Sequence, residues 1–285
     1  MHIFGQLLEW LDTRMTRPPM YGWFHLLFCA LTVIVAVVLC VCFKQGTERQ
    51  ARRIVLITAI LVTVLEIYKQ INYTFTYTDG AIVSDYQWYA FPWQFCSMPM
   101  YVGLLAGITK KGIVHDALCA FLGTHAIFAG LCVMLYPVDV FTSPIGINIQ
   151  TMVCHGSMIS VGVYLLYTGY VKLEHKTIVK ASCVFCAALA VALIGNEIAY
   201  RTGLLETETF NMFFVSPYCE PSLPVYSAVQ RAVAYPWCLI IYVAAFNLAA
   251  YLILLFAIAV KAIANRRNTV TIAPPAEKQP ENSLR

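Results

Sequence analysis

The chain of 285 residues is 60% hydrophobic and 12% charged, a balance that excludes a water-soluble globular protein and fits an integral membrane one. Its net charge of +4 rests on nineteen Lys and Arg whose placement, described below, reads as an orientation signal, so no nucleic-acid partner is invoked. Eleven cysteines would suggest a disulfide framework in a small secreted chain, but most lie in apolar runs, where thiols act as inert small hydrophobes.

Residues 1–20 lack the basic, apolar and small-residue parts of a signal peptide and read as an amphipathic segment on the membrane surface. A membrane domain is expected over 21–265, built only of α-helices. Seven apolar runs, 21–43, 54–73, 91–108, 113–135, 149–171, 178–200 and 236–263, approach or exceed the roughly 20 residues that cross a bilayer core. Between them, 74–90 is polar and aromatic, and 136–148 is turn-rich through Pro137, Asp139, Pro144 and Gly146. In the long connection 201–235, SPYCEPSLP is too proline-rich for a regular helix. Residues 266–285 read as a disordered cytoplasmic tail.

Charge orients this seven-helix arrangement. Lys44, Arg49, Arg52, Arg53, Lys110, Lys111, Lys172, Lys176, Lys180, Lys261, Arg266, Arg267, Lys278 and Arg285 fall on one side, and only Arg14, Arg17, Arg201 and Arg231 on the other. The positive-inside rule then sets the N-terminus outside and the C-terminus in the cytoplasm. The expected setting is the plasma membrane of a prokaryote or an endomembrane of a eukaryote.

Counting along the spans places Cys96 and His155 at one level, roughly 8 to 9 Å below the outer boundary. Glu66, Lys69, Asn196 and Glu197 fall in the same layer, Gln94 lies above it, and His125 lies deeper, at roughly 15 Å. Polar groups in hydrocarbon are costly unless they face one another or a cavity, so a shared level implies a shared site. Cysteine is a nucleophile only as thiolate, and a histidine both removes its proton and stabilises the anion. His155 matches Cys96 in depth, with His25 and His125 as alternatives, and Glu66, Glu197 or Asn196 is open as the group that orients the imidazole. Glu66 and Lys69, three apart on one helix, also suit a simple ion pair. The bland alternative is that Cys96 only packs and that Pro92, Pro99 and Gly103 only bend the third span. Cys183 and Cys186 spell C-x-x-C mid-helix, without the βαβ setting of a redox motif.

The motif FPWQFC around Cys96, Tyr136–Pro137 closing the fourth span, His155–Gly156 in the fifth, and the late stretch PSLPVYSAV…YPWCLIIY resemble the YwaF-type family of integral membrane proteins, which includes transmembrane protein 164. The resemblance implies a seven-helix fold distantly similar to the androgen-induced hydrolases of fatty-acid esters. It also implies acyl transfer between phospholipids, with Cys96 and His155 as the catalytic pair and membrane lipids as partners. Ser97 departs from the basic residue expected there in the eukaryotic relative. Glu66, Lys69, Gln94, His125, Asn196, Glu197 and Arg201 are then substrate-binding candidates, Lys69 or Arg201 for the phosphate, and no cofactor or metal is expected. The rival class is a proton-coupled transporter or receptor, with Glu66, Lys69, His125, His155 and Glu197 lining a path and no covalent chemistry.

Overall fold

In lipid every backbone N–H and C=O must be satisfied within its own element, so a chain this apolar folds as helices. The computed structural model describes residues 3–137, 140–220 and 224–272; Asp139, part of SPYCEPSLP and the tail beyond 272 lie outside the described residues. A short amphipathic helix, α1 (Ile3–Leu11), precedes the bundle, turning Gly5 and Leu8 inward and Ile3, Leu7 and Trp10 outward. The bundle itself begins with α2 (Trp23–Cys42) and α3 (Glu48–Asn72).

On α3, Ala51, Val55, Ala59, Val62 and Glu66 face the protein with helical spacing, while Ile57, Ile60, Leu61, Val64 and Ile67 face out. A helix apolar on its outer face is suited to lipid. Its start is fixed by Thr47 and Gln50, which cap each other's backbone N–H reciprocally. Beyond α3, the expected polar connection contains a hairpin, β1 (Phe75–Thr78) against β2 (Ala81–Ser84), with Asp79 and Gly80 in the left-handed conformation its tight turn needs.

The third expected span is the main departure. Helix α4 covers only Met98–Ile108, preceded by a 3₁₀ turn at Phe95–Ser97 and by irregular backbone from Phe91. Pro92 and Pro99 explain this, because proline lacks the N–H that continues a helix and biases the residue before it towards extended backbone. With 113–135 counted as one passage, six helical stretches among the described residues, not seven, are long and apolar enough to cross a membrane. The fourth span is itself broken at Gly123–Thr124 into α5 (Ile113–Leu122) and α6 (His125–Leu135). The remaining helices are α7 (Ile145–Tyr167), α8 (Lys176–Arg201), α9 (Pro224–Ala232) and α10 (Tyr235–Ile272). Helix α10 continues past residue 266, where the sequence suggests a tail.

Helix α7 is buried almost all round and forms the hub, with α2, α3, α5 and α6 packed on it. Small residues make this possible, as is usual where helices pack in lipid. A Cβ on Gly130 of α6 would sit 2.7 Å from the backbone oxygen of His155, and one on Gly162 of α7 2.7 Å from that of Leu122. Ser160 donates from α7 to the Thr32 carbonyl of α2 at 3.0 Å.

The two ends of the bundle differ. At one end gather α1, the hairpin, the stretch 91–97 and the loops after α6 and α8, tied by Tyr68 to Leu11, by strand-like pairing of Arg14 with Pro144, and by Gln94 to Asn211. The other end holds the basic connections, where Arg52 donates to the carbonyls of Gly107 and Ile108 at 3.3 and 3.1 Å and so closes the end of α4. Gly130→Ala is expected to destabilise the protein by about 1–3 kcal/mol, because the backbone opposite cannot yield. The midpoint of thermal unfolding in detergent reads this, with Gly112→Ala, whose Cβ meets nothing nearer than 3.9 Å, as the neutral control.

Candidate active site

Three elements converge on a cavity of about 320 Å³ at the hairpin end of the bundle. From α3 come Val62, Glu66, Lys69 and Tyr73, one helical face; from the turn before α4 come Cys96 and Ser97; from α7 come Ile147, Gln150, Thr151, Cys154 and His155, again one face. Met100 of α4, Val140 and Thr142 from the loop before α7, and Tyr89 and Ala90 complete it. Of the nine residues singled out from the sequence, the structure therefore brings together Cys96, His155, Glu66 and Lys69.

The cavity's charges are closed on themselves. Lys69 Nζ lies 2.8 Å from Glu66 Oε1, the i,i+3 pair anticipated from the sequence. Gln70 Nε2 donates to the same oxygen at 2.7 Å, and Gln150 Nε2 from α7 donates to Oε2 at 3.2 Å. Gln70 is held in turn by Tyr86, whose hydroxyl donates to its Oε1 at 2.8 Å. A carboxylate buried to 6% exposure is tolerable only with such a set of donors. Lys69 carries three N–H donors and gives one to Glu66, which leaves donors for a guest in the cavity.

His155 is arranged differently. Its Nδ1 lies 2.7 Å from the Thr151 carbonyl, an acceptor only, so Nδ1 carries the proton and donates. The tautomer is thereby set, and Nε2 presents a lone pair. That nitrogen is buried without a hydrogen-bond partner among the described residues, and so is Thr142 Oγ1 in the same cavity lining. Buried polar atoms are normally paired, so two unpaired ones in one cavity mark a place for a polar guest. None of the three side chains considered from the sequence orients the imidazole: a backbone carbonyl one turn back on its own helix does so.

The other five lie outside this cavity. Gln94 accepts from Phe213 N and donates to the Asn211 carbonyl, both at 2.9 Å. Asn196 accepts from Met212 N at 2.7 Å and donates to the Met212 carbonyl at 3.0 Å. Both side chains clamp the same buried loop, Phe210–Ser216, in which Phe213 and Phe214 take left-handed backbone angles. The nearness of Asn196 and Gln94 to the level of Cys96 reflects the anchoring of a loop inside the bundle. His125 is stacked between Phe121 and Phe185, with centroids 5.4 and 5.1 Å away, and Nε2 lies 3.3 Å from Asn247 Oδ1. Glu197 and Arg201 form an exposed ion pair at 2.6 Å beside Tyr218, whose hydroxyl donates to Glu197 and is pushed above the usual phenol range by that carboxylate. His25 is engaged at both ring nitrogens, by Tyr21 N and the Met134 carbonyl.

Sequence reading missed Gln150, Thr151 and Thr142. The first two were accessible in principle, since they stand five and four residues before His155 on one helix face; Thr142 comes from an irregular loop and carries no such signal. Gln94→Ala or Asn196→Ala, by leaving buried backbone groups of the loop unpaired, should cost about 1–3 kcal/mol each. Hydrogen exchange over residues 210–216 measures the effect, and unchanged protection would show that the clamps are dispensable.

Nothing among the described residues groups three or more His, Cys, Asp or Glu side chains as metal ligands. No curated protein and no solved structure matches the chain. A family model does match, over residues 20–259, which takes in the whole cavity lining and every helix from α2 to α9, and with six spanning-length helices this makes an integral, multi-pass membrane protein. The chain belongs to the TMEM164 family.

Proposed function

We propose that the protein is a lipid acyltransferase of the membrane, or an acyl-ester hydrolase when water is the acceptor, with Cys96 as nucleophile and His155 as base. The observation that carries this reading is the unpartnered, buried Nε2 of His155, held as a lone pair by its Nδ1–H bond to Thr151, in one cavity with the Cys96 thiol. His25 has both ring nitrogens engaged, and His115, whose Nδ1 is also unpartnered, does not line this cavity. Lys69, with donors to spare, is suited to the phosphate of a phospholipid.

The chemistry runs as two half-reactions. Cys96 Sγ attacks the ester carbonyl of a phospholipid as its proton passes to His155 Nε2; the tetrahedral adduct collapses, the C–O bond breaks, and the leaving glycerol oxygen takes that proton. A lysophospholipid hydroxyl, or water, then attacks the thioester while Nε2 takes its proton, and the proton returns to the departing thiolate. The partners are thus membrane phospholipids and lysophospholipids.

The seven-helix topology belongs to this reading, with the short α4 and its irregular approach completing the third passage. The hairpin end, and with it the cavity, faces outside; the basic connections and the tail face the cytoplasm. Residues 1–20 then lie on the outer surface and 266–285 form the cytoplasmic tail.

Cys96→Ala and His155→Phe in purified, lipid-reconstituted protein should each lower acyl exchange between phospholipids by about 10²- to 10⁴-fold. Intact mass should reveal a hydroxylamine-sensitive acyl adduct on Cys96 in the wild type. Exchange that persists unchanged in Cys96→Ala would rule out the thioester route. A tag at the N-terminus should be labelled on intact cells or sealed vesicles of matching orientation, and one at the C-terminus only after permeabilisation; the reverse pattern would invert the topology.

A further inference from the structure

A membrane substrate has to enter such a cavity sideways, and the shortness of α4 supplies an opening. Because the third passage begins as helix only at Met98, the hairpin end of α3 faces irregular backbone, and not a regular helix, on the side of Pro92. The space left there is a groove of about 360 Å³ lined by Thr63, Ile67 and Ile71 of α3 on one wall and by Pro92, Met100 and Tyr101 on the other. Its walls are mainly apolar, and Ile67 is 55% exposed on the face that lipid covers. Glu66 and Met100 line both the groove and the catalytic cavity, so the lipid-facing groove adjoins the chamber of Cys96 and His155 across those two side chains.

The groove is also built to stay open. Tyr101 Oη donates to the Pro92 carbonyl at 2.8 Å, the tilted rings of Trp93 and Tyr101 pack with centroids 5.0 Å apart, and Trp93 Nε1 donates to the Ala188 carbonyl at 3.2 Å. These contacts hold the irregular stretch away from α3. Its polar neighbour Gln70 is satisfied by Glu66, Tyr86 and the Ala90 carbonyl, so its bonding capacity is turned to the protein and away from a hydrocarbon guest.

We infer that this groove between α3 and the approach to α4 binds an acyl chain of a bilayer phospholipid and admits its ester laterally to Cys96. The assignment rests on the acyl-transfer reading for its chemistry. Its occupant follows from position and lining: an apolar trough, open to lipid, at the level of the cavity, with a polar chamber and the Lys69 ammonium at its inner end. Ile67 and Ile71 are thereby specificity-determining residues for long-chain substrates.

Two measurements test it. In proteoliposomes, Ile67→Trp fills the groove from its exposed side, and should raise KM for palmitoyl-chain phosphatidylcholine about tenfold with little change in kcat, the signature of lost uniform binding. Turnover of soluble dibutyryl-phosphatidylcholine should stay unaltered. Equal loss with both substrates, or loss with neither, would overturn the assignment. The second measurement needs no catalysis: Cys96→Ala protein is irradiated in vesicles of phosphatidylcholine bearing a diazirine midway along one acyl chain. Adducts should concentrate on 63–71 and 92–101 and fall when Ile67→Trp is added. Adducts no denser there than around Ile57 and Ile60 of the same helix would overturn it. A labelled groove in a wild type without acyl exchange would leave the groove standing and remove the thioester reading; exchange with an unlabelled groove would do the opposite.

Discussion

A carboxylate inside an apolar bundle has to be answered by donors, and Glu66 is answered by Lys69, Gln70 and Gln150 together. Two of these stand on its own helix and one on α7, so the group that demands satisfaction also fixes α3 against the hub of the bundle. The removal of one partner from such a set leaves a charge exposed to hydrocarbon, which is far costlier than the set is worth as glue. The arrangement is therefore all-or-none, and the cavity beside it inherits that rigidity. His155 stands in the same lining with its one proton already committed to Thr151, so the polar network around Glu66 closes without consuming the lone pair.

The stretch that carries Cys96 is held from the other side. Phe95 meets Phe121, Phe128, Phe185, Phe213 and Phe246, and Gln94 and Asn196 bind the backbone of the loop that supplies Phe213. Left-handed backbone at two successive phenylalanines costs on the order of 1–3 kcal/mol each, and persists only where the surroundings over-determine it. Here the over-determination comes from side-chain amides that bond main-chain groups a long way off in sequence. Irregular backbone at membrane depth is tolerated when it is buried in protein in this way, and it gives the thiol a fixed seat without a regular helix.

The membrane setting, most of the long helices and the convergence of Cys96, His155, Glu66 and Lys69 were legible because hydrophobic run length and helical rise translate directly into depth. What depth cannot encode is azimuth. Asn196 and Glu197 share the level of the cavity, and Gln94 lies just above it, yet they point to a buried loop or to the surface. The short α4 was concealed for a related reason: the apolar run 91–108 has the composition of a span, and only Pro92 and Pro99 hinted that its first part would leave the helix. Thr151 acts through its carbonyl, a group that every residue possesses, so no side-chain pattern advertises it. Thr142 and the clamp on residues 210–216 depend on loops whose paths are set by tertiary contacts alone.

Arg52 and Glu66 are fourteen residues apart on α3, about 21 Å along its axis. One latches the helix to the end of α4 and the other to α7, near opposite ends of the rod. A rod secured at both ends resists sliding and pivoting, most of all at the Glu66 end, where the surroundings offer no replacement for the polar bonds that would break. Whatever travels when a guest comes and goes must be hinged elsewhere, and α3 is the stationary post against which that movement is made.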